Sequence, residues 1–166
     1  ELGYRHAITI DADGQHYPED IPAIISCHMA HKDAIVVGAR NLSAENMPAK
    51  NTFANRFSNF WFRLQTGVPL ADTQSGFRLY PLEAINLRWP ITPRYEAELE
   101  LMVFSSWRGV PVVSTPVRVY YPREEERVSH FRPFRDFLRI SALNTALTAA
   151  ALLYYLPVRL WRRWRR

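Results

Sequence analysis

Two carboxylates two residues apart, Asp11 and Asp13, close an apolar, β-branched run at residues 6–10. Paired carboxylates at the end of a strand form an oxygen-rich site for a hard divalent cation, which readily takes phosphate oxygens as its remaining ligands. The Gln15 amide could add another oxygen. The same Asp-x-Asp-Gly string also suits a solvated turn, because Asp side chains cap their own backbone and Gly supplies a positive φ. An EF-hand does not fit, since that loop needs Gly at its sixth position and Gly14 is fourth from Asp11.

A haloacid-dehalogenase-type phosphatase also opens with a strand into Asp-x-Asp-Gly, but it expects a later Lys and a further acidic pair. After Asp13 this chain has only Lys32 and Lys50 and no adjacent aspartates. Cys27, His28 and His31 offer metal-ligand types on one helix, but no second ligand group completes a zinc site. The segment 67–81, broken by Gly and Pro yet rich in Asp, Gln, Ser and Arg, reads as a working loop without regular structure. In it Asp72 offers a carboxylate, and Gly76 would allow close backbone approach. The alternative is a turn held by Asp72 and Ser75.

These groups need a frame. Residues 6–10 read as a buried strand, and Pro18, Glu19 and Asp20 suit the first turn of a helix reaching about His31. Residues 34–37, closed by Gly38, form a second apolar strand, a strand–helix–strand unit that favours parallel pairing. In such sheets functional groups gather at the carboxyl ends of strands, where Asp11 and Asp13 fall. Phe53, Phe57, Phe60, Trp61 and Leu64 recur at helical spacing over 52–66, with Gly67 as the stop, and read chiefly as packing. A further helix is expected over 95–107, ended by Gly109. A strand follows over 110–121, where Pro111 and Pro116 restrict pairing to edges or bends. Glu96 and Glu98, two residues apart on that helix, point to different faces.

The formal net charge of +5 is unevenly distributed: residues 1–122 sum to −1 and residues 123–166 to +6. A near-neutral body argues against a nucleic-acid partner, and a basic terminus beside an apolar run points to a membrane surface. The uncharged run 140–158 is 19 residues long, a helix of roughly 28 Å against a hydrocarbon thickness of roughly 30 Å. Ser141, Asn144, Thr145 and Thr148 gather towards one face of its first half, and Pro157 sits near its end. These favour a helix lying in the interface over one that spans, with Trp161, Trp164 and the arginines after Val158 at headgroup level. The single cysteine excludes an internal disulfide and fits a reducing compartment. Residues 1–10 carry two opposite charges and no long apolar core, so they do not read as a secretory signal.

Four strings in order resemble the family-2 glycosyltransferases of GT-A fold, especially the dolichyl-phosphate mannose synthase-like or polyprenyl-phosphate glycosyltransferases. They are Asp11-Ala12-Asp13-Gly14-Gln15-His16-Tyr17-Pro18-Glu19-Asp20-Ile21-Pro22, Val37-Gly38-Ala39-Arg40, Asn55-Arg56-Phe57 and Asp72-Thr73-Gln74-Ser75-Gly76-Phe77-Arg78. The helix beginning Tyr95-Glu96-Ala97-Glu98-Leu99 and the stretch from Tyr120 to Ser129 resemble the later part of that family.

The resemblance implies an α/β fold: the C-terminal part of a GT-A, Rossmann-like domain with a mixed sheet over residues 1–133. A basic amphipathic or membrane-associated helix and Arg-rich tail occupy 134–166. Only ten residues precede Asp11, so the family's nucleotide-binding strands and helices would lie upstream. It implies an inverting transfer from a nucleotide sugar to a lipid-linked acceptor, polyprenyl phosphate or a hydroxyl-bearing lipid, at the cytoplasmic face of a membrane. A non-catalytic membrane-surface module is the competing expectation. By the same resemblance Asp11, Asp13 and Gln15 would hold Mg²⁺ or Mn²⁺ against the donor diphosphate. Arg40 and Arg56 would lie near the acceptor phosphate; Ser75, Gly76 and Arg78 would line the acceptor-side loop; and Arg127 and Ser129 would reach the diphosphate. Asp72, Glu96 and Glu98 are the carboxylates available as base, although an anionic phosphate acceptor needs none.

Overall fold

The computed structural model describes residues 3–41, 49–85, 92, 95–121 and 133–164. The elements are β1 (His6–Thr9), a 3₁₀ turn (Pro18–Asp20) leading into α1 (Ile21–Ala30), β2 (Ile35–Arg40), α2 (Ala49–Thr66), β3 (Arg78–Pro81), α3 (Tyr95–Trp107) and β4 (Val112–Val117). They are followed by α4 (Pro133–Ala150), a π-helical turn (Ala151–Tyr155) and α5 (Leu156–Trp164). Pro18 opens the 3₁₀ turn, where its missing N–H costs nothing, and Gly67 and Gly109 follow α2 and α3 with φ of 75° and 89°.

The four strands form one mixed sheet in the order β1-β3-β2-β4. β1 and β2 are parallel to one another, as their intervening helix requires, but they are not neighbours: β3 lies between them, antiparallel to both. This corrects the reading of 67–81 as irregular throughout, because its last residues form an inner, fully buried strand. An arginine at its start and a proline at its end disguised a strand only four residues long. β4 pairs parallel to β2 and forms the other edge, where Pro116 removes no ladder donor that the sheet needs.

Alternation along the strands divides the core in two. Val36, Phe77, Leu79 and Val117 pack with Ile24 of α1 on one side. Ile35, Val37, Tyr80 and Val112 pack with Phe62 of α2, Leu101 and Met102 of α3, and Leu143 and Leu147 of α4 on the other.

α4 turns its polar side chains inward. Gln65 of α2 donates through Nε2 to the carbonyl and Oδ1 of Asn144 and to Oγ1 of Thr148, at 3.3, 3.0 and 3.2 Å. Arg139 pairs with Glu96 of α3 at 2.9 Å. Of the polar residues that weighed against a spanning helix, Asn144 and Thr148 meet Gln65, while Thr145 is exposed and donates to the Ser141 carbonyl of its own helix; Leu152, Leu153, Tyr154, Leu160, Trp161 and Trp164 are exposed. Helix continues through Pro157 because the preceding turn widens, the Leu156 N–H reaching Ala151 five residues back. Leu138–Val158, 21 residues, is long and apolar enough to cross a membrane.

Gly38 marks the tightest point of the sheet. A Cβ there would lie 3.0 Å from Cγ1 of Val117 and 3.1 Å from the carbonyl oxygen of Phe77. Gly38→Val is expected to destabilise the fold by about 1–3 kcal/mol through overpacking, checked as a lowered midpoint in thermal or urea unfolding.

Candidate active site

The carboxyl ends of the three mutually parallel strands bring the chemistry-bearing residues to one edge of the sheet. Asp11 follows β1, Arg40 ends β2, and residues 118–121 continue from β4. The antiparallel β3 delivers the loop 72–77 to the same edge, with Arg78 opposite Thr9 and Val37.

Asp72 is wholly buried and accepts from every side. Arg40 donates to it through Nε (2.6 Å), Nη2 (3.0 Å) and its backbone N–H (3.2 Å). Gln74 donates its backbone N–H at 3.0 Å, and the Nδ2 of Asn55, itself fully buried in α2, makes a further bond. Burial pushes the Asp72 carboxyl up, but the Arg40 hydrogen bonds and charge outweigh it and hold the group below the usual carboxylate range. With five donors on two oxygens, Asp72 is an organiser of Arg40 and of its own loop in this arrangement. The turn held by Asp72 and Ser75 is the geometry found, Ser75 Oγ accepting from the Phe77 N–H at 3.3 Å.

The rest of the loop is tied from both flanks. Asn59 donates to the Ala71 carbonyl, and its Oδ1 accepts from the Thr73 N–H and hydroxyl. Arg78, 2% exposed, donates to the carbonyls of Ser75 and Thr73 at 2.7 and 3.1 Å, and pairs with Glu98 at 3.0 Å. Arg78 therefore braces the loop from beneath, away from solvent. Glu96 and Glu98 point to different faces as expected, one paired with Arg139 and the other with Arg78. Arg56 is solvent-exposed on α2.

Asp11 lies directly over Gly76, and a Cβ there would fall 2.6 Å from the carboxyl carbon of Asp11. Only glycine allows this approach. The Gly76 carbonyl accepts from the Thr9 hydroxyl at 2.7 Å. Asp13 is exposed and accepts the Gln15 N–H at 3.0 Å, a turn in which Gly14 takes φ of 74°. The Gln15 carbonyl in turn accepts the Tyr120 N–H at 2.8 Å, fastening the loop to the end of β4. Among the described residues no group of three or more His, Cys, Asp and Glu could hold a metal. Two carboxylates without a third such ligand fit a cation that completes its shell with phosphate oxygens and water. Cys27, His28 and His31 do not converge: His28 Nε2 meets His6 Nε2 at 3.1 Å, while Cys27 and His31 contact each other at 3.9 Å. Arg127 and Ser129 lie outside the described residues.

Residue-by-residue reading missed Asn55 and Asn59 as functional positions. Asparagines recurring every fourth residue along α2, at 51, 55 and 59, were the available signal.

A mixed α/β sheet with an acidic pair and an anchored arginine at its carboxyl edge defines a candidate phosphate-handling site. The chain is 30% identical, over 126 residues and 73% of its length, to a UDP-N-acetylglucosamine–dolichyl-phosphate N-acetylglucosaminyltransferase of Methanococcus voltae. It is 25% identical over 70% of its length to an undecaprenyl-phosphate mannosyltransferase of Micrococcus luteus, and 27% identical over 69% to a polyprenol monophosphomannose synthase of Mycolicibacterium smegmatis. No protein-family model matches the chain. These relatives are family-2 polyprenyl-phosphate glycosyltransferases, and the chain is their homologue, its sheet and helices forming part of a GT-A domain. The chain spans about half the length of the curated relatives it matches: 50, 50 and 45% of these three.

The Arg40–Asp72 pair has a pH signature. A depressed folded-state carboxylate contributes stability above its unfolded value, near 3.9, and loses it as pH falls through the folded value. Stability of the wild type is expected to fall on acidification below about pH 4, and Asp72→Asn to flatten that fall. At neutral pH Asp72→Asn is expected to cost about 3–5 kcal/mol by leaving Arg40 unpaired. Urea unfolding across pH 2.5–7 checks both (the range being set by the roughly 3.9 midpoint).

Proposed function

We propose that the protein carrying this chain transfers a sugar from a nucleotide sugar to a polyprenyl phosphate at the cytoplasmic face of a membrane, with Mg²⁺ or Mn²⁺ and with inversion at the anomeric carbon. The observation that carries this reading is the meeting, at one sheet edge, of the Asp11–Asp13 pair with Arg40 and the braced loop 72–78. The relatives' names, which specify dolichyl-phosphate, undecaprenyl-phosphate and polyprenol monophosphomannose chemistry, support it.

In this reading a phosphate oxygen of the acceptor attacks the anomeric carbon of the donor sugar. The bond from that carbon to the nucleoside diphosphate breaks, and the electron pair leaves with the diphosphate. Asp11 and Asp13, with Gln15 nearby, would hold the divalent cation, which when bound neutralises charge on the departing diphosphate. Arg40 keeps its Nε and Nη2 on Asp72, so it meets the acceptor as a pre-oriented guanidinium. Arg56, on the exposed face of α2, would add a second positive charge towards the acceptor phosphate.

A phosphate acceptor is already an anionic nucleophile and needs no strong base. The ion pairing of Asp72, Glu96 and Glu98 accords with that, because each carboxylate already serves an arginine. The outward Leu152, Leu153, Tyr154, Leu160, Trp161 and Trp164 would rest against lipid, and the tail arginines against anionic headgroups on the cytoplasmic side.

The test is product formation by full-length protein from labelled nucleotide sugars, polyprenyl phosphate and Mn²⁺. Asp13→Ala is expected to lower the rate by at least about 100-fold, an oxygen ligand's contribution of several kcal/mol; equal product from this variant and wild type would sink the metal role. Arg56→Ala is expected to raise KM for the lipid phosphate by roughly 10-fold with an unchanged melting temperature, the loss of one charge-assisted contact.

A further inference from the structure

His16 lies outside the roles given above, yet it is the most constrained side chain at the acidic pair. Its side chain is 4% exposed and its Nε2 stands 3.6 Å from Oδ2 of Asp11. That separation is longer than a formed hydrogen bond, a close contact between the ring nitrogen and the carboxylate. The ring meets Phe77 edge-on, with centroids 5.3 Å apart. The backbone of His16 bridges antiparallel to Val119. Ring and backbone are thus fixed by separate elements, and the direction of Nε2 is left little freedom.

The other ring nitrogen settles the tautomer. Nδ1 is buried and has no hydrogen-bond partner. A buried unpaired N–H is rarer than an unpaired acceptor, so the proton belongs on Nε2, facing Asp11. Asp11 also lies in close contact with Gly76, so its carboxylate is confined by the loop as well as by His16. The remaining surface of the carboxylate is open, since Asp11 is half-exposed.

We propose that His16 is a positioning residue that orients the Asp11 carboxylate for a divalent cation shared with Asp13. This rests on the metal-binding reading of the two aspartates. A partner behind a ligating carboxylate fixes which oxygen faces the ion, and loss of such a partner typically costs about 10–100-fold in metal affinity. His16 touches neither sugar nor phosphate in this role and acts only through Asp11.

The experiment measures Mn²⁺ binding without turnover, by loss of the free-ion electron paramagnetic resonance signal. Full-length wild type, His16→Phe, His16→Met, His16→Gln and Asp13→Ala are compared, with a melting temperature for each. His16→Phe and His16→Met fill the space without a donor and are expected to weaken binding about 10-fold or more, while His16→Gln, which restores an N–H, stays within about threefold of wild type. A merely structural role would move the melting temperature of all three without separating Gln from Met. If all three His16 variants bind as wild type does while Asp13→Ala does not, the positioning role is overturned and the metal site stands. If Asp13→Ala also binds like wild type, or wild type takes up no Mn²⁺, the metal reading falls and takes the positioning role with it.

Discussion

A carboxylate with no exposure to water has to be neutralised, and the arrangement of this site follows from how Asp72 is neutralised. Its partner, Arg40, stands at the end of β2, while Asp72 sits in the loop entering β3, so their ion pair fixes the loop against the sheet edge. A buried pair of this kind adds little net stability over an apolar replacement, but breaking it is costly, and so it fixes geometry. Asn55 and Asn59 bring α2 to the same loop, and Arg78 braces it from below. Gly76, held in that frame, is where Asp11 comes to rest. The acidic pair and the arginine are therefore parts of one hydrogen-bonded unit.

That unit divides labour between charges. Arg40 and Arg78 are occupied by Asp72 and Glu98, and Glu96 is occupied by Arg139 of α4. Glu96–Arg139 also ties α3 to the long apolar helix, which Gln65 grips again through Asn144 and Thr148. The same polar contacts fix where the long apolar helix stands relative to the sheet edge that carries the site.

Much of this was legible in the sequence, for identifiable reasons. α3 shows clear boundaries because Gly109 marks its end, and α2 because its aromatic residues repeat at helical spacing, although Phe53, Phe57, Phe60 and Leu64 prove exposed and the stripe is not the packing face it was read as; Phe62 enters the core instead. The Asp11–Asp13 pair was visible because polar residues abruptly close an apolar strand. β3 was not, because four residues beginning with a buried arginine carry no alternation to detect, and the charge belongs to a contact with Glu98 distant in sequence. Asp72 was picked out by residue type, and the turn it holds with Ser75 was one of two readings; the choice between them was not legible, since a free carboxylate and a saturated one look alike until Arg40 is placed beside it. Nor could the sequence tell that Asn144 and Thr148 of α4 meet Gln65, a partner distant in sequence, while Thr145 of the same stripe stays exposed.

The most direct measurement sets two acceptors against each other. Full-length protein is given a nucleotide-sugar panel with Mn²⁺ and equal amounts of polyprenyl phosphate and the corresponding unphosphorylated polyprenol, and the lipid products are weighed by mass spectrometry. The account predicts a single product equal in mass to the lipid phosphate plus one sugar less one water, with release of one nucleoside diphosphate. A sugar found on the polyprenol, or liposome binding with no sugar transferred to either lipid, would contradict it.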